Sequence, residues 1–414
     1  MARILIHNDE TTLKDQLCRS ALRLEFGNAI ASCKPPHVFG MHGEWGSGKT
    51  SFLRQLRYEL DAIKDSEASE ELQSNRFSNQ IVTVWFEAWR YQAEPLPVVA
   101  LLHEIRRQLE QRSLLKRATA EAKKLAEISL RSVMNSFDDV AKLLKLESIS
   151  SKGIQATGET WEKDHLQTKL GTDTIREFLE HAVNNLLLWK ARDSAEGKAR
   201  LVVFVDDLDR CQPATAFKLL EALKVHLSLP NCIFVLGMNQ QTVVEAIASE
   251  LKRDEKDAAP RLKAEAYLEK LCTNVWRLPL PDQKNNLTFF TSLLSDLSLQ
   301  EKLRKVLVTC RCLPPNPRRL KALANIVNRL WENLPEEERN TKHIELATLF
   351  YAYVYQFHGD LFRRWQWDFD YLERMKEFAN SSGNIDETDK AAGFDGLILP
   401  QRFGEEDSPI SNYP

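Results

Sequence analysis

Residues Gly43 to Ser51 read GEWGSGKTS, with Gly43, Gly48, Lys49 and Thr50 in the fixed places of G-x-x-x-x-G-K-[ST]. That spacing suits a loop that holds phosphates. Its glycines let successive backbone N–H groups point inward at phosphate oxygens, and a helix N-terminus adds positive potential. Lys49 would reach the β- and γ-phosphates of a nucleotide, and Thr50 would offer its hydroxyl to Mg²⁺. Glu44, Trp45, Gly46, Ser47 and Ser51 complete the loop and join those four as nucleotide-binding candidates.

A nucleoside triphosphate site also needs a carboxylate for the metal at the end of a neighbouring strand, and LVVFVDDLDR (201–210) supplies one. Asp206, after a run of apolar residues, fits the residue that holds Mg²⁺ through water, and Asp207 is placed to polarise the attacking water. An acidic pair after a strand also serves as a helix cap, but the loop upstream favours the metal. Asn239, closing CIFVLGMN (232–239), is a candidate γ-phosphate sensor and also a candidate N-cap for the helix that follows. The two roles are compatible.

These residues must be carried by strands and helices in alternation. HVFGM (37–41) reads as a short buried strand entering the loop, and TSFLRQLRYELDAI places Phe52, Leu53, Leu56, Leu60 and Ile63 near helical spacing. IVTVWF (81–86), LVVFVDD (201–207), CIFVLGMN and TNVWRLPL (273–280) read as further strands, with helices between them. Five apolar strands separated by helices predict an α/β fold with a parallel sheet buried on both faces. The Asp206 strand end suggests the order 5-1-4-3-2, with the CIFVLGMN strand between the loop strand and the Asp206 strand.

The core is expected over residues 1–282, with a charged helical insertion at about 106–172 that ends in a Ser-, Gly- and Thr-rich loop. An all-α lid region is expected over 283–379 and a loose, acidic tail over 380–414. Phe350 to Met375 is dense in aromatics, with Arg363 and Arg364 among them. Near-helical spacing over 350–372 favours a helix-packing or partner face over single-stranded nucleic acid.

Composition bounds the partners. The chain has 414 residues and a formal charge of -3, so no global charge excess draws nucleic acid or an anionic membrane. No run of 18 apolar residues occurs and the N-terminus lacks a secretory signal, so a soluble protein is expected. Seven cysteines without C-x-x-C spacing suggest reduced thiols in the cytoplasm.

HGEWGSGKTS, WFEAWRY, FVDDLDRC, YLEKL and NPRRLK, in that order and within about residues 1–330, resemble the KAP family of P-loop NTPases. The resemblance implies an additional-strand ATPase core related to AAA+ and STAND proteins, followed by a helical lid. Gly43, Gly46, Gly48, Lys49, Thr50 and Ser51 match the family's Walker A loop, Asp206 and Asp207 its Walker B acids, and Asp209 and Arg210 complete D-D-L-D-R. Arg210 is then a candidate arginine finger or the partner of a local ion pair. Arg318, in the first turn after the Asn316 cap and Pro317, is a candidate sensor-2 residue, because a cation there is unfavourable unless an anion lies near.

Two departures stand out. Glu87 occupies a place where the family commonly has Asn, and the 106–172 insertion is charged where many members carry a membrane hairpin, so membrane attachment is not expected. The resemblance implies a Mg²⁺-dependent ATPase that works as a switch or assembly engine in bacterial anti-phage defence, with ATP and Mg²⁺ as ligands. A homo-oligomer and a separate effector protein are the expected partners. Alternatives are a nucleotide-binding scaffold with negligible hydrolysis and a nucleic-acid-stimulated motor; nucleic acid is the less favoured partner.

Overall fold

The fold is that of a computed structural model, which describes residues 6–61, 81–93, 200–225, 231–251, 260–272, 274–308 and 313–367, with a few flanking positions. The charged insertion lies almost wholly outside the described residues, and the acidic tail entirely so.

Helix α1 (Ser20–Ser32) precedes strand β1 (His37–His42), and β1 runs into the phosphate loop and helix α2 (Lys49–Leu60). Strands β2 (Ile81–Glu87) and β3 (Arg200–Asp206) follow, and a 3₁₀ turn at Leu208–Arg210 leads to helix α3 (Pro213–Val225). Then come β4 (Cys232–Met238), α4 (Gln240–Leu251), α5 (Pro260–Leu271) and β5 (Asn274–Arg277). All pairings are parallel, and the order β2-β3-β4-β1-β5 is the expected 5-1-4-3-2 viewed from the opposite edge. The last strand is shorter than its apolar run suggested, because Leu278 leaves the ladder after its N–H donates to the carbonyl of His42.

Alternation along β3 divides the core. Leu201, Val203 and Val205 pack with α3, α4 and α5, whereas Val202 and Phe204 pack with α1 and α2. Both faces of the sheet are therefore buried, which is why the strands read as continuous apolar runs. The strand ends carrying Gly43, Glu87 and Asp206 all emerge at one edge, as parallel strands require.

Beyond Pro281 the described chain is helical: α6 (Gln283–Ser292), α7 (Leu297–Leu307), α8 (Pro317–Asn333), α9 (Ile344–Phe357) and α10 (Gly359–Trp367). These helices share a separate apolar core around Phe290, Leu320, Leu323, Val327 and Trp331. The described part of the aromatic segment lies in α9, α10 and the bend between them, and its end beyond Trp367 falls almost wholly outside the described residues. Among its described residues, Tyr351 and Trp365 pack edge to face at 5.6 Å and Phe350 is fully buried, whereas Trp367 is exposed. Among the described residues no helix is long and apolar enough to cross a membrane, and the five described cysteines are free thiols.

Candidate functional site

The phosphate loop is anchored at both ends. Gly43 N–H donates to the carbonyl of Met238 at the end of β4 (3.1 Å), and Ser47 N–H donates to the carbonyl of Glu44 (3.1 Å). Gly46 and Gly48 have φ of +80° and +87°, the left-handed region that side chains disfavour. A Cβ on Gly46 would lie 2.6 Å from Asn316 Oδ1 and 2.9 Å from Arg318 Cβ, so this glycine also admits the neighbouring helix. Gly48 stands at the N-cap position of α2, and no side chain caps that helix. Its first N–H groups are thus left for an anion.

Asp206 ends β3 fully buried, and neither carboxylate oxygen has a well-aligned hydrogen bond within the protein. Burial and the neighbouring Asp207 raise its carboxyl to about 6, and the Thr50 hydroxyl close by acts in the opposite direction. Gly237 on β4 makes the room: a Cβ there would lie 2.6 Å from Asp206 Oδ1. A buried carboxylate with unused oxygens beside a threonine hydroxyl fits a hydrated Mg²⁺ shared with nucleotide oxygens. Thr50 and Asp206 would hold that ion, and its chemistry there would be to neutralise phosphoryl charge.

Lys49 is buried and ion-paired, with Nζ 3.3 Å from an Asp209 oxygen. Asp207 follows β3 in a left-handed conformation (φ +58°), and its Oδ1 accepts from Arg210 Nε at 2.9 Å. Burial lifts the Asp207 carboxyl above its ordinary range, and the Arg210 guanidinium opposes that. Arg210 therefore makes the local ion pair and remains 40 % exposed at the cavity rim. Asn239 accepts at Oδ1 from the N–H groups of Gln241 (3.0 Å) and Thr242 (3.4 Å), which makes it the cap of α4. Its neighbour Gln240 donates its N–H to His42 Nδ1 at 3.0 Å; burial, Arg277 and Lys49 together lower the pKa of His42.

The helical region reaches the loop through the start of α8. Asn316 Oδ1 accepts from the N–H groups of Arg318 and Arg319, and its Nδ2 donates to the carbonyl of Trp45 at 2.7 Å. Arg318 N–H lies 3.4 Å from the Gly46 carbonyl, its guanidinium sits over the Trp45 ring at 5.5 Å, and it pairs with Asp9 at 2.5 Å. The anion beside this arginine is thus the Asp9 carboxylate.

A strap over residues 7–19 was not expected as part of the site. Gln55 Nε2 donates to the carbonyls of Thr12 and Lys14, and Ser51 Oγ accepts from Thr12 N–H (3.3 Å), so Ser51 holds the strap. Arg19 donates to the carbonyls of Ser47 and Pro279 at 2.8 Å each; its burial lowers its pKa to about 10, with Asp15 opposing. Asn325 on α8 exchanges hydrogen bonds with the backbone of His7. Strap, loop, α8 and the 3₁₀ turn enclose a cavity of about 320 Å³, lined by Lys49, Thr50, Glu87, Asp207, Arg210 and Arg318 among others. That volume lies at the lower end of the range for small-molecule sites.

A parallel sheet, a glycine loop entering an uncapped helix and a buried acid at the adjoining strand end define a P-loop nucleotide-binding protein. The class narrows to a family. The profile of the KAP family P-loop domain matches residues 13–341, reaching into the helical region as well as spanning the sheet, and the chain belongs to that family. No curated protein matches it.

Proposed function

We propose that the protein is a Mg²⁺-dependent ATPase that works as a switch or assembly engine. ATP binding tightens the helical region on the loop, and hydrolysis releases it. The observation that carries this reading is the buried Asp206 carboxylate, which makes no well-aligned hydrogen bond, beside Thr50 at the foot of a loop whose Gly46 carries no side chain between it and α8. Lys49 and the open N–H groups of α2 bind phosphate, Thr50 and Asp206 hold the metal, and Arg318 reads the occupied site once Asp9 gives way to phosphate charge. Arg210 at the rim serves a neighbouring copy's site in a homo-oligomer.

The biological setting rests on family resemblance alone: a cytoplasmic role in bacterial anti-phage defence, with a separate effector doing the damage. A second reading, a nucleotide-bound scaffold with negligible hydrolysis, is favoured by one observation, that Asp207 is already tied to Arg210. The test is ATP binding and turnover by the purified protein, with Lys49→Ala and Asp206→Ala as controls, and its mass with and without a slowly hydrolysed ATP analogue. Absence of turnover, with or without binding, or turnover that both substitutions leave unchanged, would overturn the ATPase reading. A mass that nucleotide does not change would remove the trans role of Arg210.

A further inference from the structure

We propose that Glu87, and not Asp207, is the catalytic carboxylate that takes the proton of the attacking water. The inference rests on the ATPase reading and adds a residue to it.

The register of the sheet carries it. Strands β2 and β3 pair in parallel with Glu87 directly opposite Asp206. Paired residues on adjacent strands present their side chains to the same face, about 5 Å apart. Glu87 therefore shares with Asp206 the face that packs on α1 and α2, as Trp85 and Phe204 do two residues earlier with stacked rings 5.7 Å apart. Asp207 is one residue past the ladder, turned by its positive φ into the 3₁₀ turn, where Arg210 pairs with one of its oxygens. Glu87 is also one methylene longer, so its carboxylate reaches further from the strand end into the cavity it lines.

Two arginines aim it. Arg54, one turn after Thr50 on α2, donates from Nη2 to Glu87 Oε1 at 3.1 Å and lies over the Trp85 ring at 5.0 Å. Arg90, in the turn after β2, pairs with the other oxygen. Both guanidinium groups are well exposed, so these pairs are weak tethers that orient the carboxylate without sealing it off. Arg54 is a positioning residue: through α2 it ties the acid to the helix that presents Thr50. In the step itself the water oxygen bonds to the γ-phosphorus, and the bond from that phosphorus to the β,γ-bridging oxygen breaks, its electron pair leaving with ADP. Glu87 accepts the proton and afterwards returns it to the phosphate product.

Single-turnover hydrolysis of Mg–ATP, isothermal titration of Mg–ATP binding and melting temperature, measured on the full chain, test the proposal. Glu87→Gln is expected to slow hydrolysis by about 100-fold or more while the dissociation constant stays within about threefold, leaving intact ATP on the protein. Glu87→Asp keeps the carboxylate and recovers part of the rate; Asp207→Asn slows hydrolysis by less than about tenfold. The proposal is overturned if Glu87→Gln hydrolyses within about threefold of the parent rate, if it loses rate only together with nucleotide affinity, or if Asp207→Asn is the more damaging change. A Glu87→Gln chain that does not fold passes the decision to Glu87→Asp, where a rate equal to the parent's beside a crippled Asp207→Asn overturns it. Failure of the ATPase reading looks different: the unsubstituted protein itself would bind Mg–ATP without turnover, and both proposals would fall together.

Discussion

Two helices meet at the cavity by their N-termini, and they treat their free N–H groups in opposite ways. Helix α8 begins at Asn316, whose side chain accepts from the N–H groups of Arg318 and Arg319; α2 begins at Gly48, which has no side chain to offer. One end is satisfied within the protein and serves as a joint. The other is left open beside a lysine and a buried acid, and an uncapped helix start in that setting awaits an anion. The contrast also separates Asn239 from Lys49: the Asn239 side-chain carbonyl caps α4, whereas the Lys49 ammonium pairs with the Asp209 carboxylate inside the site.

The largest effect is expected where the open end is disarmed. Lys49→Ala removes the one cation held inside the loop, and equilibrium binding of Mg–ATP should weaken by about 100-fold, in line with the loss of a charge-assisted hydrogen bond to phosphate. The fold should survive, because Lys49 contributes no apolar packing to α2. Unchanged affinity would place the phosphate elsewhere and dissolve the contrast between the two helices.

Asp206→Asn sharpens the same comparison through pH. The carboxyl is raised from 3.8 to about 6 in the folded chain, so the folded state holds its proton more tightly than the unfolded state. Stability therefore falls as pH rises through that window, and the deficit is complete above pH 6. Such an elevation corresponds to at most about 3 kcal/mol. The ligand-free Asn variant should melt higher than the parent at pH 7.5, with the gap closing towards pH 4, and should lose the added stability that Mg–ATP confers. Melting curves across pH decide it; a variant less stable than the parent at pH 7.5 would mean that Asp206 is satisfied within the protein.

How far this arrangement could be read from the sequence follows from what each part is made of. The loop, Asp206, the sheet order and the Asn316–Pro317 helix start are legible because side-chain type at fixed spacing performs the task. Gly237 carried a weaker signal, an isolated glycine inside an apolar strand, which marks a close approach without saying to what. The strap was not legible, since Thr12, Lys14, Ser47 and Pro279 take part through their backbones and any residue has the same carbonyl. Glu87 was visible as a substitution, but its neighbour across the ladder follows only from register.

Asn316→Ala acts on the satisfied end. It removes the cap of α8 and the 2.7 Å bond to Trp45, and should cost about 1 kcal/mol of stability in chemical denaturation. The more telling reading is the stabilisation by Mg–ATP, which should shrink, because the joint between loop and helical region is loosened while the phosphate site keeps its own groups. If the denaturation midpoint drops and the nucleotide-dependent increment is unchanged, α8 is a support and not a reader of the site.

The smallest effect concerns the partner of Lys49. The Asp209 carboxylate takes the place on Lys49 that phosphate charge would occupy, so phosphate would have to displace it. Asp209→Asn removes the competing charge and keeps the shape. Mg–ATP affinity should rise by less than about fivefold, because the cost of holding both charges out of water offsets most of the attraction in the Lys49–Asp209 pair. Added salt should leave most of the difference between variant and parent in place, because the Lys49–Asp209 pair is largely buried and is screened weakly. A variant that binds more weakly would reverse the assignment: Asp209 would then orient Lys49 towards the phosphates, and the open end of α2 would depend on that carboxylate as α8 depends on Asn316.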